Sequence, residues 1–284
     1  MNAAIPEPAD RQVNQYTSTP FDGTRDYDRN GNLVHKASSG ETLSYDYHDQ
    51  MVQVTGPGGT HTYGYDAFGR RILADGGQFF SDGDDTIEQR TVAGAPKSIY
   101  VFGDRIDEIL MGVQDVDGNN TPDRVAYHAD DMGNVMAVTN GLGTVLESYD
   151  YDNYGKPKFF NAAGSPIALS AIGNALLFNG HRYDSETGLY DYRTRYLDPR
   201  AGRFTSRDSI GTWRDDGNLG NGNAYAGNNP WSATDPMGTS LAQNGYLLTD
   251  EPARKLVVCP CPNWAPDGTV CYCWSGDESW RRRR

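Results

Sequence analysis

Residues 115–123 read DVDGNNTPD and place oxygen at alternate positions, with Asp115, Asp117, Asn119 and Asp123 offering side chains and Thr121 a carbonyl. Hard oxygen donors converging from a tight loop suit calcium, which makes this set a candidate metal site. Asp and Asn side chains also accept from backbone amides a few residues on, so the same loop reads equally as an acidic hairpin turn without an ion. Ala126 stands where an EF-hand would place its bidentate Glu. Four cysteines form a second set, Cys259, Cys261, Cys271 and Cys273, two CxC pairs around the turn signal Ala265-Pro266-Asp267-Gly268. In strands, residues two apart share a face, so a hairpin turning there is expected to put Cys259 opposite Cys273 and Cys261 opposite Cys271. Sulfurs so placed close as cross-strand disulfides in an exported chain, or hold zinc or stay free in a reducing compartment. His35, His48, His61, His128 and His181 show no ligand spacing to one another and no neighbouring nucleophile. No P-loop, dinucleotide-binding glycine pattern or nucleophile elbow is present.

These residues must be positioned by sheet. The units Tyr27-Asp28-Arg29-Asn30-Gly31, Tyr45-Asp46-Tyr47-His48-Asp49 and Tyr65-Asp66-Ala67-Phe68-Gly69 recur at intervals of 18 and 20 residues and read as strand, turn and returning strand. Asn30-Gly31 predicts a type I′ turn. The unit returns at Tyr127 to Val138 and at Tyr149 to Gly155, while 78–90 and 98–111 read as inserted hairpins. Ile167 to Leu177 fits either a short helix or a strand pair. One hairpin cannot bury its apolar face alone, so neighbouring hairpins are expected to pair edge to edge with tyrosines packing along one face.

From Phe178 to Gly238 short strands are cut by tight turns. Tyr190, Tyr192 and Tyr196 fall at even spacing, which predicts one strand with rings on one face and Asp191, Arg193 and Arg195 on the other, charged face. Here Arg182-Tyr183-Asp184, Glu186-Thr187-Gly188-Leu189-Tyr190, Arg195-Tyr196-Leu197-Asp198-Pro199, Gly202-Arg203-Phe204, Ser206-Arg207-Asp208, Gly227-Asn228-Asn229-Pro230 and Asp235-Pro236-Met237-Gly238 resemble the core that closes Rhs proteins of the YD-repeat family. With the repeats, the resemblance covers most of residues 20–238. It implies a sheet that curls or forms part of a hollow β-shell. It also implies that self-cleavage after Asp-Pro-x-Gly, where it occurs, would rest on a pair of aspartates sharing a proton. By motif position Asp208 and Arg207 match the first acid and its flanking Arg, and Asp215 or Asp216 approximates the second. Ser209, Thr239 and the long Gly/Asn run depart from the cleaving pattern.

The chain of 284 residues has 33 Gly and 18 Tyr but only 37% hydrophobic residues, which favours turn-dense sheet over packed helices. A net charge of −13 disfavours nucleic acid and anionic membranes as partners, since phosphates are repelled over most of the surface. Met1 to Tyr16 lacks a signal-peptide pattern, and no apolar run is long enough for a membrane span.

The expected fold is all-β and mainly antiparallel. Its expected parts are an extension (1–19), a repeat region (20–177), an Rhs core (178–238) and a cysteine-containing tail (239–284). The expected function is a non-enzymatic structural or encapsulating module, the C-terminal part of a secreted or cell-surface assembly. Self-cleavage by an aspartyl protease and carbohydrate binding by exposed tyrosines are the rival readings. Expected partners are the remainder of an Rhs-type assembly or further copies of the chain, and a cell-surface target. No cofactor is required beyond the calcium and zinc alternatives. The 46 residues after Gly238 contain no His, and an enzyme is not expected in them.

Overall fold

The computed structural model describes residues 15–209 and 221–239 and, beyond these, only the backbone of four short strands. Sixteen strands form one antiparallel sheet in which each pairs with the next in sequence. They are β1 (Ser18–Thr19), β2 (Gly23–Tyr27), β3 (Leu33–Lys36), β4 (Glu41–Tyr45), β5 (Met51–Gly56), β6 (Gly59–Tyr65), β7 (Arg71–Ala74) and β8 (Gly77–Asp82). The order continues through β9 (Asp85–Arg90), β10 (Pro96–Phe102), β11 (Ile109–Gln114), β12 (Asp123–Ala129), β13 (Val135–Asn140), β14 (Val145–Tyr151), β15 (Pro157–Asn161) and β16 (Pro166–Ile167). The sheet is not closed on itself, and β1 and β16 are its edges. The segments read as insertions are ordinary members of this sheet.

One turn recurs through it. At Asp28, Asp46, Asp66, Asp130 and Asp152 the Asp N–H donates to the carbonyl four residues on, and its Oδ1 accepts the amide of that same residue. The residue three places after the Asp has positive φ: Gly31 (90°), Asp49 (61°), Gly69 (81°), Gly133 (82°) and Gly155 (88°). Asn30 does not, so this hairpin is a four-residue turn ending in a left-handed glycine rather than type I′. The extra residue appears as a register shift between Asp26 and Tyr27. Asn140 and Asn161 build the same turn with an amide oxygen in place of the carboxylate. Those two units escaped the Tyr-Asp pattern because only the acceptor oxygen is needed.

One face of the sheet is apolar and covered. Leu33, Leu43, Met51, Val54 and Tyr63 pack with Leu189 and Tyr196, while Tyr100, Val125, Tyr127, Val138, Tyr149 and Phe159 belong to a second cluster with Phe178, Tyr190, Tyr192 and Tyr225. The cover is the stretch after β16, which has a four-stranded sheet of its own: β17 (Arg182–Asp184), β18 (Leu189–Asp191), β19 (Tyr196–Asp198) and β20 (Arg203–Phe204). Ile167 ends β16, and residues 168–177 form neither a helix nor a strand pair of their own. They are held by the buried carboxylate of Glu147, which accepts from the Tyr149 and Ser170 hydroxyls and from the amides of Ala171 and Ile172.

The expected strand through Tyr190, Tyr192 and Tyr196 is a hairpin instead. The Tyr192 amide donates to the Arg195 carbonyl, and Arg193 takes a φ of 65° to turn the chain. Tyr190 and Tyr192 therefore enter one core cluster and Tyr196 the other. Among the repeat tyrosines Tyr47 also differs, being 87% exposed because β4 ends at Tyr45.

Ala242–Gln243 pairs with Tyr246–Leu247. Residues 248–284 are a separate compact unit in which Leu256–Cys259 pairs with Cys271–Trp274. Its register sets Cys259 opposite Cys271, and Cys273 opposite Val257. The expected pairing of Cys259 with Cys273 is thus displaced by two residues. Cys261 lies outside the described residues, as do the side chains of the other three cysteines.

Candidate functional site

Where the sheet meets its cover, charged residues are buried in place of a continuous apolar core. Arg71 on β7 donates to both carboxylate oxygens of Asp184, at 2.5 and 3.0 Å, and its Nε lies 3.0 Å from Asp191. The same guanidinium lies over the rings of Tyr63 and Phe79 at 5.2 and 5.3 Å. Arg25 on β2 reaches Asp198 on β19 at 2.9 Å. In the opposite sense, Asp107 in the β10–β11 loop accepts two hydrogen bonds from Arg193 at 2.6 and 3.0 Å. The charged face expected of Asp191, Arg193 and Arg195 is thus turned toward counter-charges within the molecule. A bidentate guanidinium and carboxylate tolerate burial because the geometry satisfies several donors at once.

Arg195 carries the most enclosed of these groups. Its Nη2 stands 2.9 Å from Asp208 and 3.1 Å from Asp235, its Nη1 donates to the Gly222 carbonyl, and its guanidinium lies 3.7 Å from the Phe204 ring centroid. Asp208 is thus brought to Asp235 of the Asp-Pro-Met-Gly turn by a shared Arg. Asp215 and Asp216, the alternatives for the second acid, lie outside the described residues. Arg207 points elsewhere and packs against Gly31, where any Cβ would collide with its guanidinium. The Asp-Pro-Met-Gly turn itself is clamped: Arg193 donates to the Pro236 carbonyl and Thr194 to that of Met237.

His181 is buried and stacks on Tyr192 with ring centroids 3.7 Å apart. Burial pushes its imidazole down to about 4, against the opposing pull of Asp107, so at neutral pH it is an uncharged core ring.

The 115–123 loop joins β11 to β12, and oxygens of Asp115, Asp117 and Asp123 come within 4.8 Å of one another. The Asp115 carboxylate accepts the amides of Gly118, Asn119 and Asn120, and Asn119 turns its side chain onto Asp117 and the Thr121 amide. Against a desolvation penalty, these amides hold the Asp115 carboxyl below its ordinary range. Both elements of the sequence reading, converging acids and Asx turns, coexist in the loop. A second mixed cluster, His61, Asp75 and Glu186, has no signal in local spacing because its members come from three separate turns and strands.

The RHS Repeat family model matches residues 27–78. The chain belongs to the Rhs repeat family. The Rhs chain is 31% identical over 236 residues to the tRNA3(Ser)-specific nuclease WapA of Bacillus spizizenii, a match covering 80% of this chain and 9% of that protein. It is 26% identical over 285 residues to the double-stranded DNA deaminase toxin A of Burkholderia cenocepacia, covering 87% of this chain and 19% of that toxin. Among solved structures, the crystal structure of TcdB2-TccC3 superposes with a TM-score of 0.57 at 19% identity, over 75% of this chain and 11% of that one. That likeness shows the fold. The Rhs chain thus spans less than a fifth of the length of each of these relatives.

These relatives correct the functional expectation. A non-enzymatic structural or encapsulating module was expected, and proteins similar over most of the chain are named as a tRNA nuclease and a DNA deaminase toxin. They favour neither the self-cleaving protease nor the carbohydrate-binding reading. The reason for the miss is physical: Tyr-Asp turns and a capped sheet report how the chain folds, and an activity is set by a few side chains that such patterning does not reveal.

Proposed function

We propose that the Rhs chain is one section of an extracellular toxin assembly whose full-length protein acts enzymatically on nucleic acid, as a nuclease with tRNA as its substrate class. The observation that carries the reading is the 31% identity to a tRNA-specific nuclease over 80% of the chain. Part of a larger Rhs-type assembly is also how the TcdB2-TccC3 likeness is best read for this chain. No helix among the described residues is long and apolar enough to cross a membrane.

In this reading the catalytic step is not assigned to the acids described above. Asp184, Asp191, Asp198, Asp208 and Asp235 are each engaged by an arginine. The surface recess lined by Asp130, Asp131, Asp150, Asp152 and Trp231 is acidic and repels phosphate. Substrate contact therefore falls to parts of the full-length protein other than the acidic turns of the sheet.

The test is to express the full-length gene product that contains this chain and incubate it with tRNA, ribosomal RNA and duplex DNA. Site-specific scission of tRNA, with growth arrest on expression in bacteria, is expected. Intact tRNA overturns the nuclease assignment, and base conversion in duplex DNA without tRNA scission replaces it with deamination.

A further inference from the structure

His61 on β6, Asp75 in the β7–β8 turn and Glu186 in the β17–β18 turn meet where the cover rests on the sheet. One nitrogen or oxygen from each lies within 4.8 Å of the others. A cation with ligand bonds of about 2.0–2.2 Å closes such a span through small side-chain rotations. Asp75 Oδ2 stands 2.7 Å from His61 Nδ1, and Asp75 Oδ1 accepts the Thr62 amide at 2.7 Å, so this carboxylate is fixed by the backbone.

A carboxylate that accepts a hydrogen bond from Nδ1–H sets the tautomer and leaves the Nε2 lone pair as the ligand, the arrangement seen in metal-bound histidines. Here Nε2 is buried and has no hydrogen-bond partner among the described residues. A buried ring nitrogen without a partner is costly, and a cation would satisfy it. Glu186, exposed at its turn, adds a second carboxylate to the cluster.

We propose that His61 and Glu186 ligate a divalent cation of the zinc class, with Asp75 as the positioning residue behind the imidazole and water in the remaining coordination sites. Imidazole with carboxylate suits zinc, cobalt or nickel, whereas calcium and magnesium take oxygen alone. The ion would tie the Ser185–Gly188 turn of the cover to the β6–β7 hairpin of the sheet. This assignment is independent of the nuclease reading.

The test is equilibrium dialysis of the full chain against zinc after its cysteines have been alkylated, which removes sulfur as a ligand. One bound zinc per chain is expected, lost in His61→Ala, weakened at least tenfold in Glu186→Gln, and weakened roughly 10–100-fold in Asp75→Asn. Asp117→Ala should bind as the parent does. Cobalt in place of zinc should give weak visible bands without thiolate charge transfer. No zinc uptake by the alkylated chain, or uptake equal in the parent and the variants, overturns the site. Glu186 lies in an exposed turn, so Glu186→Gln decides the matter even where His61→Ala fails to fold.

Discussion

The long sheet and the segments that cover it, residues 168–209 and 221–238, are stabilised by different chemistries. In the sheet a single turn is repeated, its Asp or Asn oxygen satisfying the amide four residues on, and one apolar face is buried strand after strand. In the cover, regular structure is brief and Tyr190, Tyr192, Tyr196 and Tyr225 are buried, with charges facing arginines and aspartates delivered by the sheet. A defect in one turn of the sheet is therefore felt mainly by its own hairpin and the adjacent strands, since turn hydrogen bonds are contained within each unit. Loss of one charge at the junction leaves its partner buried and uncompensated.

The largest effect expected from this contrast is at Arg71. Arg71→Ala strips counter-charge from Asp184 and Asp191 and should destabilise the chain by about 3–5 kcal/mol, measured by urea unfolding. A loss below about 1 kcal/mol would place the junction on the same footing as the surface.

His181 gives the next largest effect. Its folded pKa of about 4 lies below the unfolded value of 6.5, so between those values the unfolded chain binds more protons and stability falls as pH falls. The contribution is fully present above pH 6.5 and drains away toward pH 4; the loss is on the order of 3 kcal/mol. His181→Phe should flatten that limb of the stability profile. An unchanged slope would show that other groups dominate it.

A single repeat turn should matter less. Gly69 has a φ of 81°, and a Cβ there would come 3.1 Å from Gln50 Nε2, a side-chain end that can move. Gly69→Ala is expected to cost about 1–2 kcal/mol, with amide exchange accelerating in β5 to β7 and not in the cover. Acceleration throughout would mean that the sheet unfolds as one unit with its cover.

Calcium at the 115–123 loop is expected to have the smallest effect. We expect added calcium to raise the melting temperature slightly, chelator to reverse it and Asp117→Ala to abolish it. A melting temperature indifferent to all three leaves the Asx hydrogen bonds as the loop's sole organisers.

The all-β class, the hairpin units at Tyr27, Tyr45 and Tyr65 and the acidic loop at 115–123 were legible in the amino-acid order, because each rests on turn chemistry contained within about five residues. Turn type was less so: Asn30-Gly31 reads as type I′ by composition, and the left-handed residue is Gly31 alone. The exposure of Tyr47 depended on where β4 ends, which is a matter of pairing with β5. What only the tertiary structure decided are the meetings of distant residues: Arg71 with Asp184 and Asp191, Arg195 with Asp208 and Asp235, and His61 with Asp75 and Glu186. Alternation along a strand tells which side chains share a face, and Asp191, Arg193 and Arg195 were accordingly read as one charged face. Whether a face meets water or a counter-charge depends on what the rest of the chain lays over it, and no local pattern carries that information.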